Sequence, residues 1–421
     1  MMDNELNKIV SEYGTPSFLF DTIALKERMK EIKDIIGGKV HLCYSIKANP
    51  FLISTMLECV EKLEVCSPGE LTICQMQNVP GDRIIYSGVN KTCVDIREAV
   101  EYDASVYTAE SILQFELLNE SAIAHDKVIP VLPRLNTGSQ FGMSKEDFCY
   151  LVANREQFKG IKIVGIHYFA GTQRKKLVEQ KKELEMLKAF MEELKEVYGF
   201  QVEKLEYGPG LPVPYFEGDD FSDTLAPVKE IAADLQAIAE LVELTVEMGR
   251  FYVSECGYYL TRVMDLKVNK GTNYAIVDGG MNHLNYLGQM MGMKVPIIKH
   301  CSKEELYGWD EVKELEGSLR INNYKIRTAL KELPKDEEVN WSLCGSLCTT
   351  ADVIVRQTGF TNLQIGDVLV FSNIGAYSVT EGIHLFLSRT MPRVLLYQGE
   401  GKVQLARDFM ETSRLNCLLG K

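Results

Sequence analysis

The sequence predicts an α/β protein in which a (β/α)8 barrel is followed by a smaller, mainly β domain. Between about residues 20 and 260, eight short apolar, β-branched segments alternate with amphipathic segments, which is the pattern of parallel strands joined by helices. After Gly257 the pattern changes to short strand-like segments separated by turn residues. A chain of 421 residues also exceeds the usual size of one hydrophobic core, so two domains are expected.

The predicted elements follow one another in a regular order. The barrel strands are predicted at 40–45, 63–66, 83–87, 104–107, 130–135, 162–169, 204–207 and 243–247. The strongest helix prediction covers Lys175 to Tyr198, where apolar residues recur at spacings of three, four and seven. That apolar stripe is predicted to pack in the core and consists of Val178, Leu184, Leu187, Met191, Leu194 and Val197. Later strands are predicted at 275–277, 368–371 and 394–397.

Composition narrows the possible partners and compartment. The 46 basic and 59 acidic residues give a net charge of -13, which argues against a nucleic acid or an anionic membrane as partner. The sequence has neither a long apolar run nor a signal-peptide start, so a cytoplasmic protein is expected. The eleven cysteines form no C-x-x-C pairs. Reduced thiols are therefore expected, rather than disulfides or a zinc site.

Lys47 is the most informative residue of the chain. It ends an apolar, strand-like run and is followed closely by Pro50. Desolvating an ammonium group is costly, and lysines in such positions commonly act as amine nucleophiles or form Schiff bases. On the local sequence alone, a lysine that extends from a strand end into solvent remains the alternative.

The run from Tyr44 to Asn49 resembles the Y-x-x-K-A-N motif of pyridoxal-phosphate (PLP) enzymes with an alanine racemase-like barrel, a group that includes diaminopimelate, ornithine and arginine decarboxylases. The resemblance implies that Lys47 forms a Schiff base with PLP. It also implies that the strand near residues 15–20 joins the second domain. The barrel is accordingly predicted to span 21–258, and the second domain to combine 1–20 with 259–421. A polar segment at 301–338 is longer than the family usually has.

The run Glu247-Met248-Gly249-Arg250 resembles the E-P-G-R motif of the same family, with methionine in the proline position. By that resemblance Glu247 pairs with the pyridine nitrogen of PLP. A carboxylate there keeps the nitrogen protonated, so that the ring can accept electrons from the substrate. This arrangement favours decarboxylation over racemisation.

Glycine-rich turns resemble the family's phosphate site. Gly208-Pro209-Gly210 is similar to a G-G-G cradle, although Pro209 removes one backbone donor. The resemblance assigns the phosphate to Gly208, Gly210, Gly249, Arg250, Thr172 and Tyr377.

Other positions near the predicted site allow two interpretations. Phe169 stands where the family has a histidine stacked on the cofactor ring, and an aromatic face can still stack; a shifted alignment would place His167 there instead. Glu64 and Glu70 resemble an acidic pair near the lysine, and Arg134 resembles a strand-end arginine that ties the acidic group to the lysine's surroundings. Each of these three could equally be a satisfied polar residue.

The segment from Cys344 to Asp352 resembles the family's G-P-x-C-[ED]-x-x-D loop, which crosses a dimer interface. The resemblance implies a homodimer with shared active sites, in which Cys348 acts as general acid in the partner's site. Thr349 replaces the acid that holds a distal substrate ammonium, whereas Asp352 retains the second acid. The usual diamino substrates are therefore not expected, because a buried ammonium needs a counter-charge.

Arg174, Lys175 and Lys176 follow a turn near the predicted barrel mouth. Cations are unfavourable at a helix start, and an anionic ligand would offset that cost; a solvated surface is the alternative reading. The combined prediction is a PLP-dependent α-decarboxylase of a substrate without a free distal amine, carried by an acyl carrier protein. This resembles the glutamyl-carrier-protein decarboxylases of antibiotic biosynthesis. A diaminopimelate decarboxylase that makes L-lysine is the alternative. A non-catalytic PLP-binding protein is a third reading, against which Cys348 and Glu247 count.

Overall fold

The computed structural model describes residues 3–306 and 333–418. Most of the polar segment predicted at 301–338 therefore lies outside the described residues. The chain divides into two compact units. The barrel unit comprises Lys26–Val213 and Phe221–Tyr252, and the β-rich unit comprises Met1–Leu25, Pro214–Asp220 and Val253–Lys421.

The barrel unit contains one parallel sheet, and the predicted barrel is confirmed. Its strands are β2 (His41–Ser45), β3 (Lys62–Val65), β4 (Ile84–Tyr86), β5 (Val106–Ala109), β6 (Ile129–Pro133), β7 (Ile161–Ile163), β8 (Gly165–Phe169), β9 (Lys204–Gly208) and β10 (Glu243–Met248). They pair in the order β7-β6-β5-β4-β3-β2-β10-β9-β8. A parallel bridge joins Arg134, which directly follows β6, to His167 of β8, and this bridge closes the barrel. The predicted strand 162–169 is interrupted at Val164.

Helices follow most of the barrel strands, and α1 precedes the first strand of the chain. In chain order, the described helices are α1 (Asp3–Tyr13), α2 (Thr22–Ile36), α3 (Ile53–Met56), α4 (Pro68–Met76), α5 (Cys93–Glu101), α6 (Ile112–Ala124), α7 (Lys145–Ala153), α8 (Leu177–Tyr198), α9 (Ala226–Ala239), α10 (Arg250–Val253) and α11 (Ser378–Glu381). The middle of the predicted stripe on α8 is buried, but Val178 and Val197 are 51% and 65% exposed. The core prediction is wrong for these two valines because they lie near the ends of the helix, away from its packed centre.

The β-rich unit is built around a second sheet. Its strands are β1 (Ser17–Asp21), β11 (Gly257–Asn269), β12 (Thr272–Val277), β13 (Ile298–Cys301), β14 (Glu338–Cys344), β15 (Val353–Thr361), β16 (Val368–Phe371), β17 (Arg393–Tyr397) and β18 (Val403–Arg407). Strand β1 lies between β11 and β17, with Ser17 opposite Leu260 and Arg393. The predicted mainly β second domain is thus confirmed.

Two further features bear on the expectations from composition. All eleven cysteines are free thiols. Among the residues that the structure describes, no helix is both long enough and apolar enough to cross a bilayer.

Candidate active site

Lys47 lies at the carboxyl end of the barrel strands, in a single 3-10 turn (Ile46–Ala48) that directly follows β2. Asn49 fixes the next turn, because its side chain accepts a hydrogen bond from the backbone nitrogen of Phe51 at 3.1 Å. The Lys47 amine donates to Glu64 and lies 3.7 Å from a carboxylate oxygen of Glu247. Its side chain is 38% exposed. The structure thus places a solvent-accessible amine between two buried carboxylates.

Glu247 is held as an anion at the end of β10. Its Oε1 accepts a hydrogen bond from Ser45 at 2.8 Å. Burial raises the pKa of Glu247, but the Lys47 ammonium and the hydrogen bonds outweigh burial, so the pKa lies below its usual range. A buried carboxylate that stays ionised is suited to pairing with a protonated ring nitrogen.

His167 and Phe169 lie on the same strand but have different neighbours. Burial, followed by the nearby Arg134 guanidinium, lowers the pKa of His167 to about 3. The neutral imidazole therefore donates its Nε2–H to Glu247 Oε2, at 3.2 Å. The Phe169 ring instead covers Gly208, where an added Cβ would lie 2.2 Å from it. His167 thus supports Glu247, while Phe169 packs beside the glycine turn.

The partner of Arg134 is Glu110, a residue that the sequence did not predict to be part of the site. Its guanidinium pairs with Glu110 at 2.7 Å and donates to the Phe169 carbonyl at 3.3 Å. Glu110 directly follows β5, so the rule that barrel chemistry sits just beyond strand ends could have found it. Glu70, predicted with Glu64 as an acidic pair near the lysine, lies in the first turn of α4 and accepts from the Cys66 backbone nitrogen at 2.7 Å.

Cys66 is a second residue that the sequence reading did not select. Its Sγ lies 3.4 Å from the Lys47 amine and 3.1 Å from Glu64 Oε1. Burial, followed by the Glu64 carboxylate, raises the pKa of the thiol well above its usual range. Cys66 is therefore a neutral thiol that donates toward Glu64.

The glycine turns after β8 and β9 lie against each other. Gly210 has a left-handed backbone (φ +62°), and a Cβ there would lie 1.8 Å from the Gly171 carbonyl oxygen. Its own carbonyl accepts from the Arg174 backbone nitrogen at 3.0 Å. Only glycine fits this position, as expected for a turn whose backbone approaches an anion closely.

The remaining predicted phosphate residues differ in their setting. Gly249 packs against Ala48, since a Cβ there would lie 2.9 Å from the alanine methyl carbon. Arg250 is buried at the start of α10, and Thr172 is exposed after β8. Tyr377 belongs to the β-rich unit, where it precedes α11 with a positive φ of 69°.

Arg174 is already paired. Its guanidinium makes two contacts with the Glu183 carboxylate, at 2.8 and 2.5 Å, and Glu183 also accepts from the Tyr207 hydroxyl at 3.0 Å. Lys175 and Lys176 are exposed immediately before α8. Of the basic cluster, these two lysines present their charge at the surface.

The loop from Cys344 to Asp352 lies in the β-rich unit. Asp352 Oδ1 accepts from the backbone nitrogen of Met281, and Oδ2 accepts from that of Leu347, both at 2.8 Å. Cys348 is exposed and Thr349 is half-buried. The carboxylate of Asp352 therefore holds the loop in shape, and the neighbouring thiol is presented outward.

The barrel residues fit pyridoxal phosphate. Lys47 supplies an amine, Glu247 supplies an anion, and the turn at Gly210 leaves no room for a side chain. His167, Glu206 and Glu247 also place one atom each within 4.8 Å of one another, close enough to consider a cation. Both Glu247 oxygens already accept hydrogen bonds from Ser45 and His167, so a hydrogen bond joins two of the three residues directly.

Comparisons with known proteins agree with this fit. The family model for "Pyridoxal-dependent decarboxylase, pyridoxal binding domain" matches residues 23–254. The diaminopimelate decarboxylase of Methanocaldococcus jannaschii is 25% identical over 94% of this chain and 89% of its own length. The L-glutamyl-[BtrI acyl-carrier protein] decarboxylase of Niallia circulans is 24% identical over 96% and 93%.

A solved structure of the M. jannaschii diaminopimelate decarboxylase shares the fold, with a TM-score of 0.78, 23% identity and coverage of 98% of this chain and 93% of that one. The family match covers more than half of the sequence and includes Lys47 and Glu247. The chain therefore belongs to the pyridoxal-dependent decarboxylases, enzymes that remove a carboxyl group with pyridoxal phosphate as cofactor.

Proposed function

We propose that the enzyme removes the α-carboxyl group of an amino acid or aminoacyl substrate without a free distal ammonium, with a glutamyl group on an acyl carrier protein as the favoured substrate. The loop from Cys344 to Asp352 carries this proposal. Thr349 offers only a hydroxyl, and each oxygen of Asp352 accepts a hydrogen bond from a backbone nitrogen of its own unit. Burying a substrate ammonium without a counter-charge would cost about 3 to 5 kcal/mol of binding free energy.

The barrel residues supply the general chemistry. Lys47 binds the cofactor covalently, Glu247 pairs with its ring nitrogen, and the backbone around Gly208 and Gly210 receives its phosphate. Once bound, the cofactor supplies an electron-accepting ring that stabilises the charge left when the carboxyl group departs. His167 and Ser45 hold Glu247 in place through hydrogen bonds.

The favoured substrate also depends on a relative and on surface charge. The Niallia circulans relative acts on a glutamyl carrier protein. Arg174 binds Glu183, and the exposed residues Lys175 and Lys176 beside it are proposed to face an acidic carrier. Diaminopimelate decarboxylase remains the second candidate, since the M. jannaschii relative has that activity.

Carbon dioxide release from a panel of substrates tests the proposal. Carrier-tethered glutamate, free glutamate and meso-diaminopimelate are supplied at matched concentrations to the PLP-loaded enzyme. We expect the tethered substrate to react fastest. Lys175→Glu combined with Lys176→Glu should raise the KM for that substrate and leave any free substrate unaffected. Rapid turnover of meso-diaminopimelate, insensitive to this charge reversal, would make the second candidate correct.

We also propose that the active enzyme is a homodimer in which Cys348 returns a proton to the substrate carbon in the partner's site. The exposed thiol of Cys348 and the anchored loop beside it support this role. Lys47→Ala alone should be inactive, whereas Cys348→Ala alone should still release carbon dioxide but form aldehyde in place of the amine. The two chains are mixed, and formation of the amine product is measured. Mixed dimers contain one intact site, so activity should recover to roughly a quarter of the parent value when half of the dimers are mixed. No recovery despite proven subunit exchange would exclude shared sites.

A further inference from the structure

Glu206 is a buried carboxyl group that the chemistry above does not use. It lies in the middle of β9, beside His167 of β8 and Thr245 of β10. It is 1% exposed, and neither of its oxygens has a hydrogen-bond partner among the residues that the structure describes. An ionised carboxylate is very unfavourable in such a position, whereas a neutral carboxylic acid is tolerated.

The groups around Glu206 also favour its neutral form. Burial raises its pKa well above the usual range, and the Glu247 and Glu64 carboxylates raise it further. Lys47 and Arg134 act in the opposite direction but do not reverse the shift. Two further titratable neighbours are neutral. Burial lowers the pKa of His167 on β8 and raises that of Cys43 on β2.

A cavity leads toward Glu206 from the opposite end of the barrel. It has a volume of about 130 Å³, and Glu206 and Thr245 line it together with apolar residues such as Ile85 and Leu132. Lys62 and Glu243 also line it, and they are the first residues of β3 and β10. The cavity is therefore at the amino ends of the strands and is large enough to admit a few water molecules.

We propose that Glu206 is a proton-holding positioning residue, which exchanges its proton through this cavity and stays neutral so that Glu247 remains the anion beside the cofactor ring. Glu206, His167 and Glu247 place their polar atoms within 4.8 Å of one another. Two carboxylates this close do not both ionise readily. The proton of this pair therefore stays on Glu206, and Glu247 carries the negative charge.

The protonation state of Glu206 can be tested without substrate. Infrared spectra of the cofactor-free protein at pH 7 are compared for the parent, Glu206→Gln and Glu203→Gln, an exposed glutamate near the start of β9. We expect the carbonyl band of a protonated carboxylic acid in the parent and in Glu203→Gln, and its loss in Glu206→Gln. Identical spectra for the parent and Glu206→Gln would overturn the proposal. If Glu206→Gln does not fold, Glu206→Met provides the same comparison.

The consequence for Glu247 rests on its proposed role and is measured separately. The dissociation constant of PLP is determined across the alkaline range. Glu206→Gln should match the parent within about threefold at pH 7, because a neutral amide replaces a neutral acid. As Glu206 loses its proton in the parent, a second carboxylate stabilises a protonated ring nitrogen, so the parent should bind PLP more tightly than Glu206→Gln in the alkaline range. Equal loss of affinity at every pH would show a merely structural role. An intact infrared result with no alkaline difference would refute the link to Glu247 and leave the protonation of Glu206 standing.

Discussion

Buried carboxylates serve different purposes in the two units of this protein. In the barrel unit, Glu64 and Glu247 face the Lys47 amine. In the β-rich unit, Asp352 binds the backbone nitrogens of Met281 and Leu347, and Asp278 accepts from the hydroxyls of Thr15 and Thr261 at 2.6 Å. The two units therefore differ in what their acids face: an amine at the end of the barrel strands in one, and backbone and hydroxyl donors of the same unit in the other.

The largest effect is expected when the Lys47 amine is removed from the barrel unit. Lys47→Ala should abolish the borohydride-fixable attachment of PLP and reduce turnover on the order of 10³-fold or more, because the amine between Glu64 and Glu247 is lost. Absorbance of the purified protein and carbon dioxide release measure the two effects. Lys204→Ala is the control, since Lys204 pairs with Glu243 at the opposite end of the barrel. Fixable cofactor in Lys47→Ala would move the attachment site elsewhere.

The β-rich unit should respond to loss of its acid in stability rather than in chemistry. Asp352→Ala leaves the amides of Met281 and Leu347 without an acceptor, at a cost of about 1 to 3 kcal/mol for each amide that stays buried. Denaturant unfolding should show a clear loss of stability, and Glu64→Gln should show a smaller one. Equal losses in the two variants would remove the distinction between a structural and a chemical carboxylate.

The two units should behave alike in acid, because each buries a neutral histidine. Burial lowers the pKa of both His167 and His283 to about 3, whereas an unfolded histidine titrates near 6.5. The unfolded chain therefore binds more protons between these values, and each histidine lowers the free energy of unfolding by up to about 1.4 kcal/mol per unit as the pH falls from 6.5 toward 3. His283→Gln should flatten this decline. An unchanged slope would mean that His283 accepts a proton in the folded protein.

The sequence predicted the barrel strands and the position of Lys47 at a strand end well, because periodicity and a short motif are local properties. The barrel strands followed from such patterns, whereas the placement of β1 in the second sheet followed from the family resemblance. The sequence did not predict the partners of individual side chains. Arg174 follows a turn near the barrel mouth, where the sequence predicts contact with a ligand. Its guanidinium binds Glu183 instead, nine residues farther along the chain.

Residues that act through neighbours were the hardest to predict. Glu110 and Cys66 contact Arg134 and Lys47 only because separate strands end side by side in the barrel. Glu206 has no motif, and its position became informative once both its burial and the cavity beside it were known. A single sequence contains no direct record of such long-range packing.

The substrate preference proposed for the Cys344–Asp352 loop is tested most directly by placing an acid at position 349. Thr349→Glu is compared with the parent and with Thr350→Glu, which adds the same charge one residue away. The ratio of kcat/KM for meso-diaminopimelate to that for carrier-tethered glutamate is measured in all three. We predict that Thr349→Glu raises this ratio on the order of 10²-fold while Thr350→Glu leaves it unchanged. A parent enzyme that already prefers meso-diaminopimelate, or a ratio that Thr349→Glu does not change, would contradict the account.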